Sequence, residues 1–495
     1  MRHFWVIAVF VGCGSVNGTS PDARLMDAIG KMDAAGLFDA ASHLDAIRDA
    51  SGPPVAPGTV RWARSLSSVG PLGLAEGTGG LVVAGYITAP AQLGGDTLLP
   101  VGGPAMVVAG FDSDTAAHLY SKAHGGPDQA YGFVQDVISN GTPIVLGVTY
   151  GTTDVGLGPI TSGGNPALAD GYIGLYSVGT ARWVKRLVGP GEDKIVATAL
   201  GPSSSVYGVG WFEQTTSFNG GSLVTHGSRD LFVARFNAFT GDVQLTQTYG
   251  GPGLDEISSA AASGDHLIVA GHFDETTGLT TPGTLAFGGS ALPLSSHGGR
   301  DLWVAELDSQ GNGMWAVAFG GPGEDRGATV AVDAAGDVYL AGTFTGQVAF
   351  GAVNLTSRGD VDVFLAKLHG NTGSVAWAIS FGSVEPGSGT RVDGVGGLAV
   401  DAAGHVTVAG NTAGPLEGAS SAGGRDGFIA SFDTATGAAH WRTIISTAGE
   451  DGAGRLVYGR NGDLYATVEI GAPFDFGTPI IGAPSPANVL LRIAP

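Results

Sequence analysis

From about residue 59 to its end the chain alternates apolar and polar positions with a period of two, in short runs broken by Gly, Pro and Asp. Residues 316–368 give the clearest unit, AVAFGGPGEDRGATVAVDAAGDVYLAGTFTGQVAFGAVNLTSRGDVDVFLAKL. A short apolar run meets a Gly-Gly-Pro-Gly-Glu-Asp turn, and alternating runs at 330–332 and 338–342 flank Asp-Ala-Ala-Gly-Asp. A looser loop leads to a run at 362–366, and the next strand starts near Trp377. Alternation bounded by turn formers predicts half-buried β-strands. Four strands per unit of about 60 residues match a propeller blade. No helical period runs through these units, which excludes a helical solenoid.

Three landmarks recur in fixed order. The first is an apolar run ending in Ala-Gly or a close variant, at Gly85, Gly147, Gly210, Gly271, Gly342 and Gly410, with a degenerate copy at 464–468. The second runs Asp, a variable residue, an aromatic, an aliphatic, Ala. It starts at Asp170, Asp230, Asp301, Asp362 and Asp426, with copies lacking Asp at Ala105 and Ala487. The third is a strand, often with a tryptophan (Trp183, Trp315, Trp377, Trp441), entering a Gly/Pro/acid turn. Seven copies of each of the first two predict an all-β, seven-bladed propeller of four-stranded antiparallel blades, with strands a to d from the axis outward. The a–b hairpins turn at Asp333 and Asp401, and the c–d hairpins at Asn371 and Thr434, each with a Gly able to take positive φ.

The two ends of the array complement each other. The last unit stops after strand c, at 489–493, while the first strand, at 60–66, is a d strand with no a, b or c before it. Exposed sheet edges carry unpaired N–H and C=O groups. The ring is therefore expected to close through this N-terminal outer strand, with Trp62 at the position of the other strand-d tryptophans.

Composition refines this picture. The 86 glycines in 495 residues would suit disorder, but 43% hydrophobic and only 14% charged residues point to a packed chain, with Gly as turn punctuation. A formal net charge of −21 opposes nucleic-acid binding, and no basic patch offsets it. The single cysteine, Cys13, excludes an intrachain disulfide framework.

The N-terminus is different material. Met1-Arg2-His3 precedes an apolar run over 4–12, too short to span a bilayer, and residues 1–12 read as a secretory signal. Val11-Gly12-Cys13 resembles the bacterial lipobox. That resemblance implies that Cys13 is lipidated and becomes the mature first residue, and Gly14 carries no sign of inner-membrane retention. Residues 13–58 read as an acidic tether with one marginal helix, ending in a Pro/Gly linker at 51–58. The propeller then occupies 59–495.

FGGPGED, VAVDAAGDVYLAG, LTS and DVFLAKL together resemble the SBBP-type β-propeller repeat of bacterial secreted and surface proteins. The match is strong over 315–368, fair over about 180–450, and weak at either end. The resemblance implies a propeller and an extracytoplasmic setting, and no single activity. Phe432-Asp-Thr-Ala-Thr-Gly-Ala-Ala-His-Trp441 resembles the tryptophan-docking motif of pyrroloquinoline-quinone propellers, with a partial copy at 236–241. That motif implies blade-to-blade locking. Enzymes of that class carry adjacent cysteines and eight blades, unlike this chain, so no cofactor is expected.

Candidate chemistry is sparse. No zinc helix, nucleophile elbow or phosphate loop is present. His226 with Asp230 and His297 with Asp301 fall at one blade position, where Asp426 has no His, and so read as turn and packing devices. His266, His272 and Asp274 lie near one strand b as a candidate cluster. Strand order puts the d–a and b–c connections on one face. The d–a turns hold Asp128, Glu192, Asp193, Asp255, Glu324, Asp325, Glu450 and Asp451. An Asp recurring at one turn position caps it by accepting backbone N–H bonds, and no DxDxDG loop gathers oxygens for calcium. No catalytic or metal residue is expected. The long b–c loops at 86–104 and 272–300 are where a rigid scaffold carries recognition. The expectation is a non-enzymatic, monomeric binding scaffold, lipid-anchored at the bacterial outer membrane or cell surface, taking a protein or glycan ligand. The alternative is a carbohydrate-active hydrolase or lyase with paired carboxylates in a central funnel.

Overall fold

The computed structural model describes residues 55–137, 141–218, 221–273, 283–383, 393–414, 416, 421–482 and 488–495. The signal, Cys13, most of the tether and Asp274 lie outside them. Seven antiparallel sheets, each with the spatial order a-b-c-d, follow one another along the chain as the blades of a propeller. The fifth blade is representative, with strands Arg326–Val332, Val338–Phe344, Asp362–Leu368 and Val375–Phe381.

Burial explains the sequence pattern of each strand. Strands b and c are covered on both faces by neighbouring blades, so Val338–Phe344 and Asp362–Leu368 are almost wholly buried and read as near-continuous apolar runs. Strand d, at the outer edge, is only half-buried over most of its length. The core is divided into layers between blades. In one of them Ile268 and Val304 of the fourth blade pack with Leu340 and Phe364 of the fifth.

Two bulges recur around the ring. In strand a the ladder to strand b skips Val196, Ser258 and Gly396 in the third, fourth and sixth blades. In the fifth and seventh it skips Gly327 with Ala328 and Gly454 with Arg455. At the start of strand d the ladder skips Arg182, Met314, Ala376 and His440. A bulge adds local twist and re-aims the next side chain, and the residue after each of these four is Trp183, Trp315, Trp377 or Trp441.

Each of these tryptophans docks on the c–d turn of the following blade. The indole N–H of Trp183 donates to Ala238 O at 3.0 Å, that of Trp315 to Gly370 O at 2.7 Å, and that of Trp377 to Thr434 O at 3.1 Å. A glycine lies flat against each ring. Gly373, at φ 69°, would place a Cβ 2.5 Å from Trp315 Cε3, so both its backbone and its contact exclude other residues. The motif read at 432–441 thus locks blades together as its resemblance implied.

The ring closes as expected. Val60–Ser65 pairs antiparallel with Asn488–Ile493 in the register Trp62 to Arg492 and Ser65 to Val489, forming strand d of the seventh blade. Arg61 is the bulged residue here, and the Trp62 indole donates to Ser113 O of the first blade at 3.3 Å. Asp463, nearly buried, accepts from Arg61 Nε at 3.0 Å and Arg492 Nε at 2.5 Å. The chain ends even imitate a c–d turn. In the intact sixth-blade turn, Gly437 N donates to Asp433 O and Asp433 N to Ala438 O. Across the break, Gly58 N donates to Ala494 O and Ala494 N to Thr59 O, both at 2.9 Å. Gly58, at φ 78°, rests on Trp441 as Gly373 rests on Trp315.

Candidate functional site

The d–a turns lie on one face, and their aspartates tie down either their own turn or the b–c connection of the same blade. Gly251 N donates to Asp255 at 2.7 Å, Gly321 N to Asp325 at 2.9 Å, and Thr447 N to Asp451 at 2.6 Å. Asp128 accepts from Thr152 N at 2.7 Å, and Asp193 from Thr216 Oγ1 at 2.6 Å. The glutamates instead reach cations: Glu192 pairs with Lys194 at 2.9 Å, Glu324 with Arg326 at 2.6 Å, and Glu450 with Arg425 at 3.0 Å.

These turn aspartates do not stand alone. The Asp that opens strand c of one blade is buried beside the turn Asp of the next, giving Asp170 with Asp193, Asp301 with Asp325, and Asp362 with Asp393. The last pair flanks Gly382, where a Cβ would lie 2.5 Å from Asp393 Oδ2 and 2.7 Å from Asp362 Oδ1. Oδ1 of Asp170 is buried with no hydrogen-bond partner among the described residues. Burial, then the neighbouring Asp170 and Glu213 charges, pushes Asp193 up to about 7. Burial, then Asp301, does the same to Asp325, and burial raises Asp170 to about 6. The junctions therefore hold carboxyls that take up protons near neutrality. Both aspartate sets were visible as repeats, but their meeting depends on how one blade stacks on the next.

The histidines stay local. His226 Nδ1 lies 3.0 Å from Asp230 and His297 Nδ1 4.0 Å from Asp301, each within its own turn. His266 and His272 do not meet. They sit near opposite ends of the strand His266–Phe273, about 20 Å apart at the rise of a β-strand. His266 pairs with Glu306 and His272 with Glu256, each at 3.0 Å.

A denser charged group was missed by the sequence reading. Arg229, at the start of strand c in the third blade, stacks 3.7 Å from the Trp211 ring centre. It bonds Glu213 at 2.6 Å, also bonds Glu256 of the next blade, and lies 3.8 Å from Glu192. The signal was the Arg that precedes Asp at 229, 300 and 425. It joins blades, as Arg425 with Glu450 shows farther round the ring.

The b–c loops fold back along the outer edge instead of standing free. Thr216–Phe218 adds to strand d of the second blade through Leu187 and Val188, and Gln347–Phe350 pairs with Val353–Thr356 as a small hairpin. Phe287 packs 5.0 Å from Trp303 and 5.2 Å from Tyr249 of the preceding blade. Ile480 and Ile481 run parallel to Ala63 and Arg64, covering the outer edge of the closing strand. Most apolar loop residues thus fill the wedges between blades. Leu99, Val101, Leu157, Val224 and Leu292, in the b–c loops of the first four blades, are 56–78% exposed. A cleft of about 180 Å³ lies between the sixth and seventh blades, lined by Asn411, Arg425, Thr467 and Glu469.

No family model matches the chain. The regulatory protein FlaEY of Caulobacter vibrioides is 26% identical over 356 residues, covering 68% of this chain and 36% of that protein, so the chain spans about a third of its length. Similar solved structures include the quinohemoprotein alcohol dehydrogenase ADHIIG from Pseudomonas putida HK5, with a TM-score of 0.41 and 11% identity over 88% of this chain and 76% of that one. The Dos1 propeller gives 0.41 and 11% over 88% and 95%, and BamB from Moraxella catarrhalis 0.37 and 12% over 89% and 98%.

Proposed function

We propose that this protein is a non-enzymatic binding scaffold of the bacterial cell envelope, held by a lipid on Cys13, whose blade rim takes a protein ligand. The observation that carries the reading is the row of aliphatic side chains, Leu99, Val101, Leu157, Val224 and Leu292, exposed on the b–c loops of four successive blades. Apolar residues nearby in these loops, Leu98, Val155, Leu223 and Leu294, are buried in the wedges, so these five are not needed for packing. Exposed apolar groups on a rigid frame are the usual mark of a protein-binding surface, and aliphatic side chains suit a protein better than a glycan. The carboxylate pairs sit at repeat-equivalent, buried junctions, which favours a structural role over a glycosidic one. Gly58 lies on the a–b/c–d side of the ring, opposite the acidic d–a turns.

The test uses the full-length chain and a Val224→Asp/Leu292→Asp variant as bait against an envelope extract and a glycan array. Capture of a protein by the natural chain and its loss with the variant are expected. A glycan signal, or protein capture unchanged by the variant, overturns the reading. Cys13→Ser should move the protein from the membrane to the soluble fraction. Continued membrane retention with an intact Met1 would remove the anchor.

A further inference from the structure

Near the start of strand a, one residue of each blade pairs with the residue that follows the strand-b glycine. The third, fourth and fifth blades put a charge there, with Lys194 opposite Trp211, Glu256 opposite His272 and Arg326 opposite Thr343. The first two blades do not. The second puts Tyr131 at the charged position, and the first sets Tyr86 opposite Gly70. Tyr86 and Tyr131 meet across the blade junction with ring centres 4.9 Å apart, and Tyr150 lies 6.2 Å from Tyr131. The ring planes cross at 68° and 80°, so both contacts run edge to face. All three rings are partly exposed. They sit where strand a begins or strand b ends, on the face of the d–a and b–c connections.

The third blade shows what an aromatic group at this position holds. Trp211 carries the Arg229 guanidinium 3.7 Å from its ring centre and the Lys194 ammonium at 4.9 Å. Both cations come from the same blade. Tyr86 occupies the place of Trp211, but Gly70 stands for Lys194 and Pro104 for Arg229. Tyr131 stands for Glu256, the acid of the next blade that Arg229 bonds. The first junction therefore has the aromatic platform without the internal cations. Among the described residues, cations stack on Phe111, Trp211 and Tyr339 and on none of these three tyrosines. The backbone is fitted to the cluster. A Cβ on Gly70 would stand 2.7 Å from Tyr86 Cε1, so glycine lets that side chain lie against strand a. The Tyr131 hydroxyl donates to Gln129 Oε1 at 3.0 Å, which orients its ring and uses neither face. An edge-to-face contact covers a face of one ring and leaves both faces of the other.

We propose that the cluster of Tyr86, Tyr131 and Tyr150 takes an arginine side chain of the protein ligand, stacked on these rings as Arg229 stacks on Trp211. The proposal rests on the reading that the ligand is a protein and adds what that protein must carry. Ring faces attract cations, arginine more often than lysine, because the planar guanidinium stacks and is weakly hydrated. Charge favours the same partner, since a chain of net charge −21 draws in basic segments. Burial, then the Glu192 charge, raises the Tyr150 hydroxyl, so the field of an acid reaches the cluster.

The test is fluorescence-anisotropy titration of the full-length chain with a labelled decapeptide of alternating glycine and arginine. The control is its glycine–lysine counterpart, whose equal charge measures the general attraction to an acidic chain. The arginine peptide should bind at least threefold tighter, since an exposed cation–π contact is worth about two- to fivefold. Tyr86→Leu/Tyr131→Leu should bring it down to the level of the lysine peptide and leave the lysine peptide unchanged. Tyr86→Phe/Tyr131→Phe, which keeps the rings, should keep the preference. Tyr150→Leu should lower the preference about twofold, and it carries the test if the double leucine variant does not fold. Val224→Asp/Leu292→Asp, on the loops of the third and fourth blades, should keep the preference, so failure of the rim and failure of the cluster are read apart. Equal affinity for the two peptides, a preference unchanged in every leucine variant that folds, or a preference lost in the phenylalanine variant overturns the proposal.

Discussion

Lowering the pH from 8 to 5 should stabilise the ring, and the effect should trace to the carboxyls at the blade junctions. Burial is the main cause that pushes Asp193 and Asp325 up to about 7 and Asp170 up to about 6, and it also raises Asp393. The same groups titrate near 3.8 when unfolded. A folded value above the unfolded one means that the folded ring binds the proton more tightly. The stability these groups contribute is complete below about pH 4 and drains away as pH rises through 6 and 7. A gap of two to three pH units sets an upper limit of roughly 3–4 kcal/mol per carboxyl, and partial relaxation of the site brings the expected figure to about 1–2 kcal/mol. Two opposing groups bound the window. Burial lowers His118 and His124, so both withdraw stability as pH falls below about 6.5. Hydrogen bonds from Thr115 and Thr436 lower Asp112 and Asp433, whose contributions are lost only below about pH 4.

Asp325→Asn isolates the effect. The groups facing Asp325 are Asp301 of the preceding blade, Glu324, the Thr345 backbone N–H, and the Gly321 N–H, which the amide oxygen can still accept at 2.9 Å. Melting by circular dichroism at matched ionic strength, with chelator present, should show the natural chain gaining several degrees between pH 8 and 5. The variant should melt at or above the natural chain at pH 8 and lose that advantage by pH 5. A natural chain whose melting temperature falls steadily from pH 8 to 5, or a variant that is more damaging at pH 8 than at pH 5, refutes the reasoning.

Other outcomes follow from the same packing. Deleting residues 1–55 should leave the melting temperature within about 2 °C, whereas deleting 1–65 removes Trp62 and the Arg61–Asp463 pair and should unfold the ring as a whole; similar melting of the two would disprove the closure. Trp183→Ala should cost about 3–5 kcal/mol in denaturant unfolding, and Gly373→Ala about 1–2 kcal/mol for its left-handed backbone alone; losses below about 0.5 kcal/mol in both would show that docking does not hold the blades.

What was legible in the sequence was whatever a period of two and a fixed turn residue can encode. The a–b turn at Asp333, the c–d turn at Asn371 and the closing strand from Val60 all lie where the pattern put them. Closure was legible because an unpaired strand at each end leaves one solution. Contacts across the blade interface were not legible, because period-two alternation says which face a residue occupies and not which residue of the next blade it meets. Asp170 beside Asp193, and Arg229 between Glu213 and Glu256, are of that kind. The packing role of the b–c loops was not legible for a related reason. Phe287, Leu285 and Leu294 are buried, because flat blades arranged radially diverge outward and the wedge must be filled.

That wedge suggests where function can reside in such a ring. Each blade must provide a docking Trp or its substitute, a glycine to receive one, a buried turn carboxylate and an apolar loop to fill the gap. Residues meeting those needs recur, and Asp325, Gly373 and Trp315 are accounted for by what they touch. Substituting any of them tests stability first and function only through it. The informative positions are the ones the repeat does not require. Leu292 is 78% exposed on a loop whose Leu285, Phe287 and Leu294 are buried. It does not help the ring to close, and it costs something to keep, since exposed apolar surface invites aggregation. A cost without a packing return is the physical reason to look for a partner there before any of the more conspicuous acidic turns.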